Sequence, residues 1–192
     1  AVPNGAAPTA WFRMDPPSPG PWNDPFGTRV PSSAGAALGA GSASVAFAQS
    51  VTGLVPGTTY YYCAIAQSTE GLSFGIVRSF VTPAPPTVAT LAATPVTSVS
   101  ATRNGSANPR GYATTGWFRY STSDPGACDD AFGTREPSSG GTGPGSGTAS
   151  TNFSRPITAL APATTYYFCA IASSSIGATF GAAAACGGDD EG

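Results

Sequence analysis

"GLVPGTTYYYCAIA" occupies Gly53–Ala66, and "ALAPATTYYFCAIA" occupies Ala159–Ala172. A phrase repeated at this length marks a duplicated unit. Aligning Cys63 with Cys169 sets the shift (169 − 63 = 106). The same shift lays Trp11 on Trp117, Arg13 on Arg119, Phe26 on Phe132, Arg29 on Arg135 and Phe74 on Phe180. Without a gap, 39 of 75 positions are identical between 1–75 and 107–181, which is duplication of a whole domain and not likeness of two strands.

The composition is that of short strands and turns. Gly (25) and Pro (19) punctuate segments rich in Thr, Val, Tyr and Phe, and no segment carries a helical apolar period. The 192 residues suffice for two all-β domains of about 100 residues each. A net charge of −2 with 9% charged residues offers no basic surface for nucleic acid. No apolar run is long enough to span a bilayer, and no leader is visible, as in a trimmed secreted chain or a piece of a longer one. Histidine and lysine are absent, and all eight cations are Arg. That excludes a His base or metal ligand, a Schiff-base lysine, a P-loop and a lysine-linked pilin backbone.

The copies are not flush. "PTVATLAATPVTSVSATRNGS" (Pro86–Ser106) precedes the second copy and reads as two strands broken near Pro95, whereas Ala1 already matches Ala107. Copy one therefore starts about two strands late, with an open flank and an unpaired edge. Three readings stand. A neighbouring subunit supplies strands and builds a head-to-tail polymer, the chain is a piece of a longer repeat array, or its ends are not fully determined. At the other end, "IVRSF" (Ile76–Phe80) is matched by "AAAAC" (Ala182–Cys186), so the last strand of copy two has lost its bulk.

Leu54, Pro56, Thr58 and Tyr60 recur as Leu160, Pro162, Thr164 and Tyr166. This L-x-P-x-T-x-Y pattern resembles the turn into the penultimate strand of fibronectin type III domains. "GSANPRGYATTGWFRYSTS" (Gly105–Ser123) resembles the second-to-third strand passage of their bacterial secreted form. The chain thus looks like tandem fibronectin type III-like domains of a bacterial secreted or surface repeat protein. The resemblance implies two immunoglobulin-like sandwiches: residues 1–82, N-terminally incomplete; a Pro-rich linker, 83–87; and residues 88–192 with a short acidic tail. Pro83, Pro85 and Pro86 make the linker a stiff spacer that sets the domains end to end. In each turn the Pro fixes a dihedral, and the hydroxyl of Tyr60 or Tyr166 is expected to bond back to turn backbone, a tyrosine corner. Arg103 shares the parity of Val99 and Ala101, a position where an apolar residue is expected.

Period-two alternation puts Tyr166, Phe168 and Ala170 on one face and Tyr167, Cys169 and Ile171 on the other. With Phe118 and Tyr120 inward on the neighbouring strand, Trp117 and Arg119 face out. Such an outer patch is expensive to expose. The Gly/Ser-rich segment Ser121–Ser150 is therefore expected to fold over it, with Phe132 as apolar cover and Cys128 bridged to Cys169. Closing that loop is worth about 3–4 kcal/mol in the chain-entropy model, and the bridge implies an oxidising compartment. In copy one the place of Cys128 is held by Trp22. Either Trp22 plugs the site by packing or that residue is imperfectly known, and a Cys63–Cys186 bridge is a further alternative.

Other sites are thin. Asp124, Asp129 and Asp130 share one loop and carry the oxygen ligands calcium prefers, but Asx-capped turns account for them more simply. Asn104 (NGS) and Asn152 (NFS) match a short glycosylation sequon. Ser, Cys and Asp have no His to activate them, and the ten acids imply no paired-carboxylate cleft. No enzyme and no cofactor is expected. Trp11, Trp117, Leu54, Pro56, Tyr60, Leu160, Pro162 and Tyr166 read as structural residues. The expectation is a structural subunit of an extracellular filament or surface appendage whose partners are copies of itself. The alternative is a spacer, or a carbohydrate- or protein-binding module, of a larger secreted enzyme or adhesin, with a surface glycan or protein as ligand.

Overall fold

A computed structural model of the protein describes residues 1–16 and 25–187, and these contain fifteen strands and no helix. Trp22 and the acidic tail lie outside the described residues. The chain divides into two compact units between Pro83 and Ala84, inside the Pro-rich stretch. Thr87, read from sequence as linker, is already the first residue of a strand.

The first unit is one antiparallel sheet. Its centre is β1 (Thr9–Asp15) against β4 (Thr59–Ser68), with Trp11 opposite Ile65 and Arg13 opposite Cys63. β2 (Thr28–Val30) and β3 (Ala36–Ala37) pair with β1; β5 (Gly71–Phe74) and β6 (Arg78–Val81) pair with β4.

The second unit repeats that sheet and adds another. β7 (Thr87–Leu91) and β8 (Ser100–Asn108) precede β9 (Thr114–Ser121), β10 (Thr134–Glu136) and β11 (Thr142–Gly145). β12 (Thr151–Thr158), β13 (Thr165–Ser174), β14 (Gly177–Phe180) and β15 (Ala184–Gly187) follow. β9 and β13 form the centre of the repeated sheet, while β12, β8 and β7 form a three-stranded sheet that faces it. This is the two-layer, all-β arrangement of a fibronectin type III-like sandwich. Phe118, Phe168, Ala170 and Ala172 from one sheet meet Ala107 and Phe153 from the other in the buried core.

Ser121–Ser150 does more than cover the outer face. Its first half carries Cys128 and Phe132 onto Trp117, Cys169 and Ile171. Its second half returns as β10 and β11 along β9, so the Gly/Ser run becomes sheet edge. Gly133 makes the return possible: its φ is +46°, and a Cβ there would lie 2.2 Å from the Tyr120 carbonyl oxygen.

The first unit differs from the second by more than the two strands β7 and β8. By the 106-residue shift, the counterpart of β12 is Val45–Thr52, and this segment carries no strand. β12 pairs with β8 at eight positions, and nothing in the first unit corresponds to β8. Without that partner, an extended segment has no ladder to join. One rung survives. Ala1 and Val45 exchange backbone hydrogen bonds of 2.8 and 3.2 Å, matching the Ala107–Thr151 pair of the second unit.

Candidate interaction face

The two tyrosine corners have the same geometry. The Val55 amide donates to the Tyr60 hydroxyl at 3.0 Å, and the Ala161 amide donates to the Tyr166 hydroxyl at 3.1 Å. Pro56 and Pro162 are exposed at the turns, and Leu54 and Leu160 are half-buried beneath them. The outer faces also agree. Trp11 and Trp117 are buried, with Arg29 and Arg135 stacked on their rings at 4.4 and 4.6 Å.

In the second unit Cys128 is bonded to Cys169 across 6.2 Å between α-carbons. Cys63 and Cys186 are free. Cys63 is fully buried, its sulfur 3.0 Å from the Gly75 carbonyl oxygen, and burial pushes the thiol pKa up. A buried thiol of raised pKa is a packing residue, not a nucleophile.

The three aspartates are occupied by the protein's own donors. Asp124 accepts from the Gly126 amide, and Asp129 accepts from the amides of Ala131 and Phe132 at 2.8 and 2.7 Å. Asp130 accepts from the Trp117 indole at 3.0 Å and pairs with Arg119 at 2.9 Å. Partial burial pushes the Asp130 carboxyl up, but the hydrogen bonds from Arg119 and Trp117 outweigh it and hold the group below its ordinary range. Among the described residues no three His, Cys, Asp or Glu side chains converge on a metal position.

Arg103 does occupy the inward position that its parity with Ala101 indicated. Alternation along β8 sends Ala101, Arg103, Gly105 and Ala107 inward, and Arg103 is 1% exposed in the core of the sandwich. Its guanidinium lies over Tyr120 at 4.8 Å and Phe118 at 5.5 Å. The nearest acceptor is the Pro156 carbonyl, at a long 3.5 Å, and Nε and Nη1 have no hydrogen-bond partner among the described residues. Desolvation draws its pKa down, with Tyr120 and Glu136 opposing. Ring faces thus replace the carboxylate that usually meets a buried guanidinium.

The units part company on the inner face. In the second, Phe118, Phe168 and Ala170 are sealed by the three-stranded sheet, at 1%, 0% and 0% exposure. Their counterparts Phe12, Tyr62 and Ala64 are only half-buried, and Phe80 is 39% exposed. Phe47 stays stacked on Phe12 at 4.8 Å, as Phe153 lies on Phe118 at 5.1 Å. Beside this pair is an apolar groove of about 440 Å³ bordered by Met14, Val51, Leu54, Tyr62 and Phe80. A second cleft of about 440 Å³ lies along Ala64, Ser73, Phe74 and Gly75. Sequence reasoning did not find these two hollows, because each is assembled from segments far apart in the sequence.

No protein-family model matches the chain, and no curated protein matches it. Among solved structures, it is similar to the crystal structure of chicken CNTN1 FN1–FN3 domains. The identity is 13% and the TM-score 0.30, over 95% of this chain and 56% of that one. No helix among the described residues is long and apolar enough to cross a membrane.

Proposed function

We propose that the protein is a non-enzymatic structural subunit of an extracellular fibre or surface appendage, joined head to tail to copies of itself through the open inner face of its first unit. The observation that carries this reading is the contrast in burial: one apolar face, nearly duplicated in sequence, is sealed in the second unit and uncovered in the first. Phe80 is 39% exposed, so covering the rest of it contributes about 1 kcal/mol, and the other partly exposed side chains of the face add to that. A contact between unlike surfaces propagates as a filament unless its rotation closes a ring. The Cys128–Cys169 bridge fits an oxidising, extracellular setting, and the resemblance to bacterial secreted repeat proteins points the same way.

The second reading, a spacer or a glycan- or protein-binding module of a larger secreted protein, draws on the same exposed aromatic residues. Sedimentation velocity and electron microscopy across a concentration series separate the two. The fibre reading expects linear oligomers that grow with concentration and that are weakened by Val51→Asp, a change at an exposed groove position. A monomer at every concentration overturns it.

A further inference from the structure

The two N-x-S sequons meet in the three-stranded sheet of the second unit. Asn104–Ser106 lies on β8 and Asn152–Ser154 on β12, and the antiparallel register sets Asn152 opposite Ser106 and Ser154 opposite Asn104. The middle residues, Gly105 and Phe153, hold the buried inward positions, so the four polar side chains share the outer face of the sheet. The two motifs are alike in type and in face, and their settings differ.

Asn152 and Ser154 are exposed, and the Asn152 side chain makes no hydrogen bond among the described residues. Asn104 is half-buried, and its Nδ2 donates to the Ala92 carbonyl at 2.9 Å and to Thr94 Oγ1 at 3.1 Å. An amide nitrogen has two hydrogens to donate, and these two contacts use both. The strands differ as well. β8 is central, paired with β12 at eight positions and with β7 at five. β12 is the terminal strand of its sheet, and Asn152 is its second residue, directly after the exposed segment 145–150. Freeing Asn152 from the sheet frays the end of one ladder, whereas freeing Asn104 breaks two ladders at once.

We infer that Asn152 is an N-glycosylation site of the folded chain and that Asn104, with the same sequon, is not. The donor is an oligosaccharide carried on a polyprenyl diphosphate. Asn152 Nδ2 forms a bond to the anomeric carbon of the sugar as the bond from that carbon to the diphosphate oxygen breaks. The lipid diphosphate leaves with the electron pair, and Nδ2 gives up one proton, so nothing is oxidised or reduced. The Ser154 hydroxyl, two residues on and on the same face, completes the acceptor motif. Beside Asn152 lies a hollow of about 380 Å³ lined by Leu91, Ala92, Thr94, Gly105 and Phe153, which gives the first sugar ring an apolar floor. The Cys128–Cys169 bridge in the same unit fits a secreted chain, the setting in which such a sequon is used.

The inference is independent of the fibre reading, because it concerns the outer face of the second unit alone. The test incubates the full-length chain, folded and oxidised, with a purified oligosaccharyl transferase and its lipid-linked donor, and reads the sites by peptide mass mapping. The expected result is a single glycan at Asn152, with occupancy of Asn104 lower by about tenfold or more. Asn152→Gln and Ser154→Ala, both changes at exposed positions, each abolish it. The denatured chain accepts glycan at both sequons, because no ladder then shields Asn104. An unmodified Asn152 in the folded chain overturns the inference, whether or not the denatured chain is modified. Equal occupancy of the two sequons in the folded chain overturns it too, since the edge position would then confer no preference.

Discussion

The two units are a controlled comparison that the molecule carries within itself. Their sequences share the WFR strand, the tyrosine corner and the YYCAIA or YFCAIA strand, and both build the same sheet from them. They differ in what lies on its inner face. Where β7 and β8 are present, β12 forms, a core closes, and even an arginine is sealed inside. Where they are absent, Val45–Thr52 stays out of any sheet, and Phe80 and Val81 are exposed, whereas their counterparts Cys186 and Gly187 are half-buried. A repeated sheet is therefore a local product of this sequence, whereas a sandwich is not. The second layer depends on a strand that pairs on both edges, and losing β8 removes it altogether.

Several measurements would break or sharpen that contrast. The largest effect belongs to the bridge. Cys128→Ser removes a loop closure spanning 41 residues, and the second unit should lose about 3–4 kcal/mol. Thermal unfolding with and without reductant reads this directly. A wild-type second unit that melts no later than the first would show that the closed core contributes little.

Arg103→Met should raise the stability of the second unit by about 1–3 kcal/mol, because it removes two buried nitrogens that lack hydrogen-bond partners while keeping an apolar side chain over Phe118 and Tyr120. A loss of stability instead would mean that the ring contacts outweigh desolvation. Tyr60→Phe and Tyr166→Phe each delete one hydrogen bond to turn backbone and should cost about 1 kcal/mol apiece. If Tyr60→Phe costs nothing, the first unit's corner is not coupled to its folding. Urea titration followed by amide exchange of β4 and β13 distinguishes the units.

The smallest effect is electrostatic. Asp130 is held below its ordinary pKa when folded, so its stabilisation is fully present above the unfolded carboxyl pKa. It is lost as pH falls through the lower, folded value. Its side chain is half exposed, so solvent screening limits the effect to a few tenths of a kcal/mol. Asp130→Asn should abolish that increment of acid sensitivity in a pH series of second-unit melts.

Much of this architecture was legible beforehand. The 106-residue register, the strand alternation around Cys63 and Cys169 and the turn at each L-x-P-x-T-x-Y are local or periodic signals, written in spacing. The return of Ser121–Ser150 as β10 and β11 was not legible, since neither "TRE" nor "TGPG" carries a strand pattern of its own and both are recruited by the free edge of β9. The same limit applied at Arg103. Its parity placed it inward, yet nothing local in the sequence names Phe118 and Tyr120 as the rings that would receive it.

By itself the sequence determined the duplication, the all-β class, the faces of each central strand and the chemistry that is absent, because each depends on residue type and spacing alone. The tertiary structure decided which copy would close. Whether an extended segment becomes a strand, and whether an apolar face becomes a core, depends on partners that arrive from distant parts of the chain. For the second unit Pro86–Ser106 brings them. In the first unit the same face is built, and Phe12, Tyr62 and Ala64 on it stay half-buried.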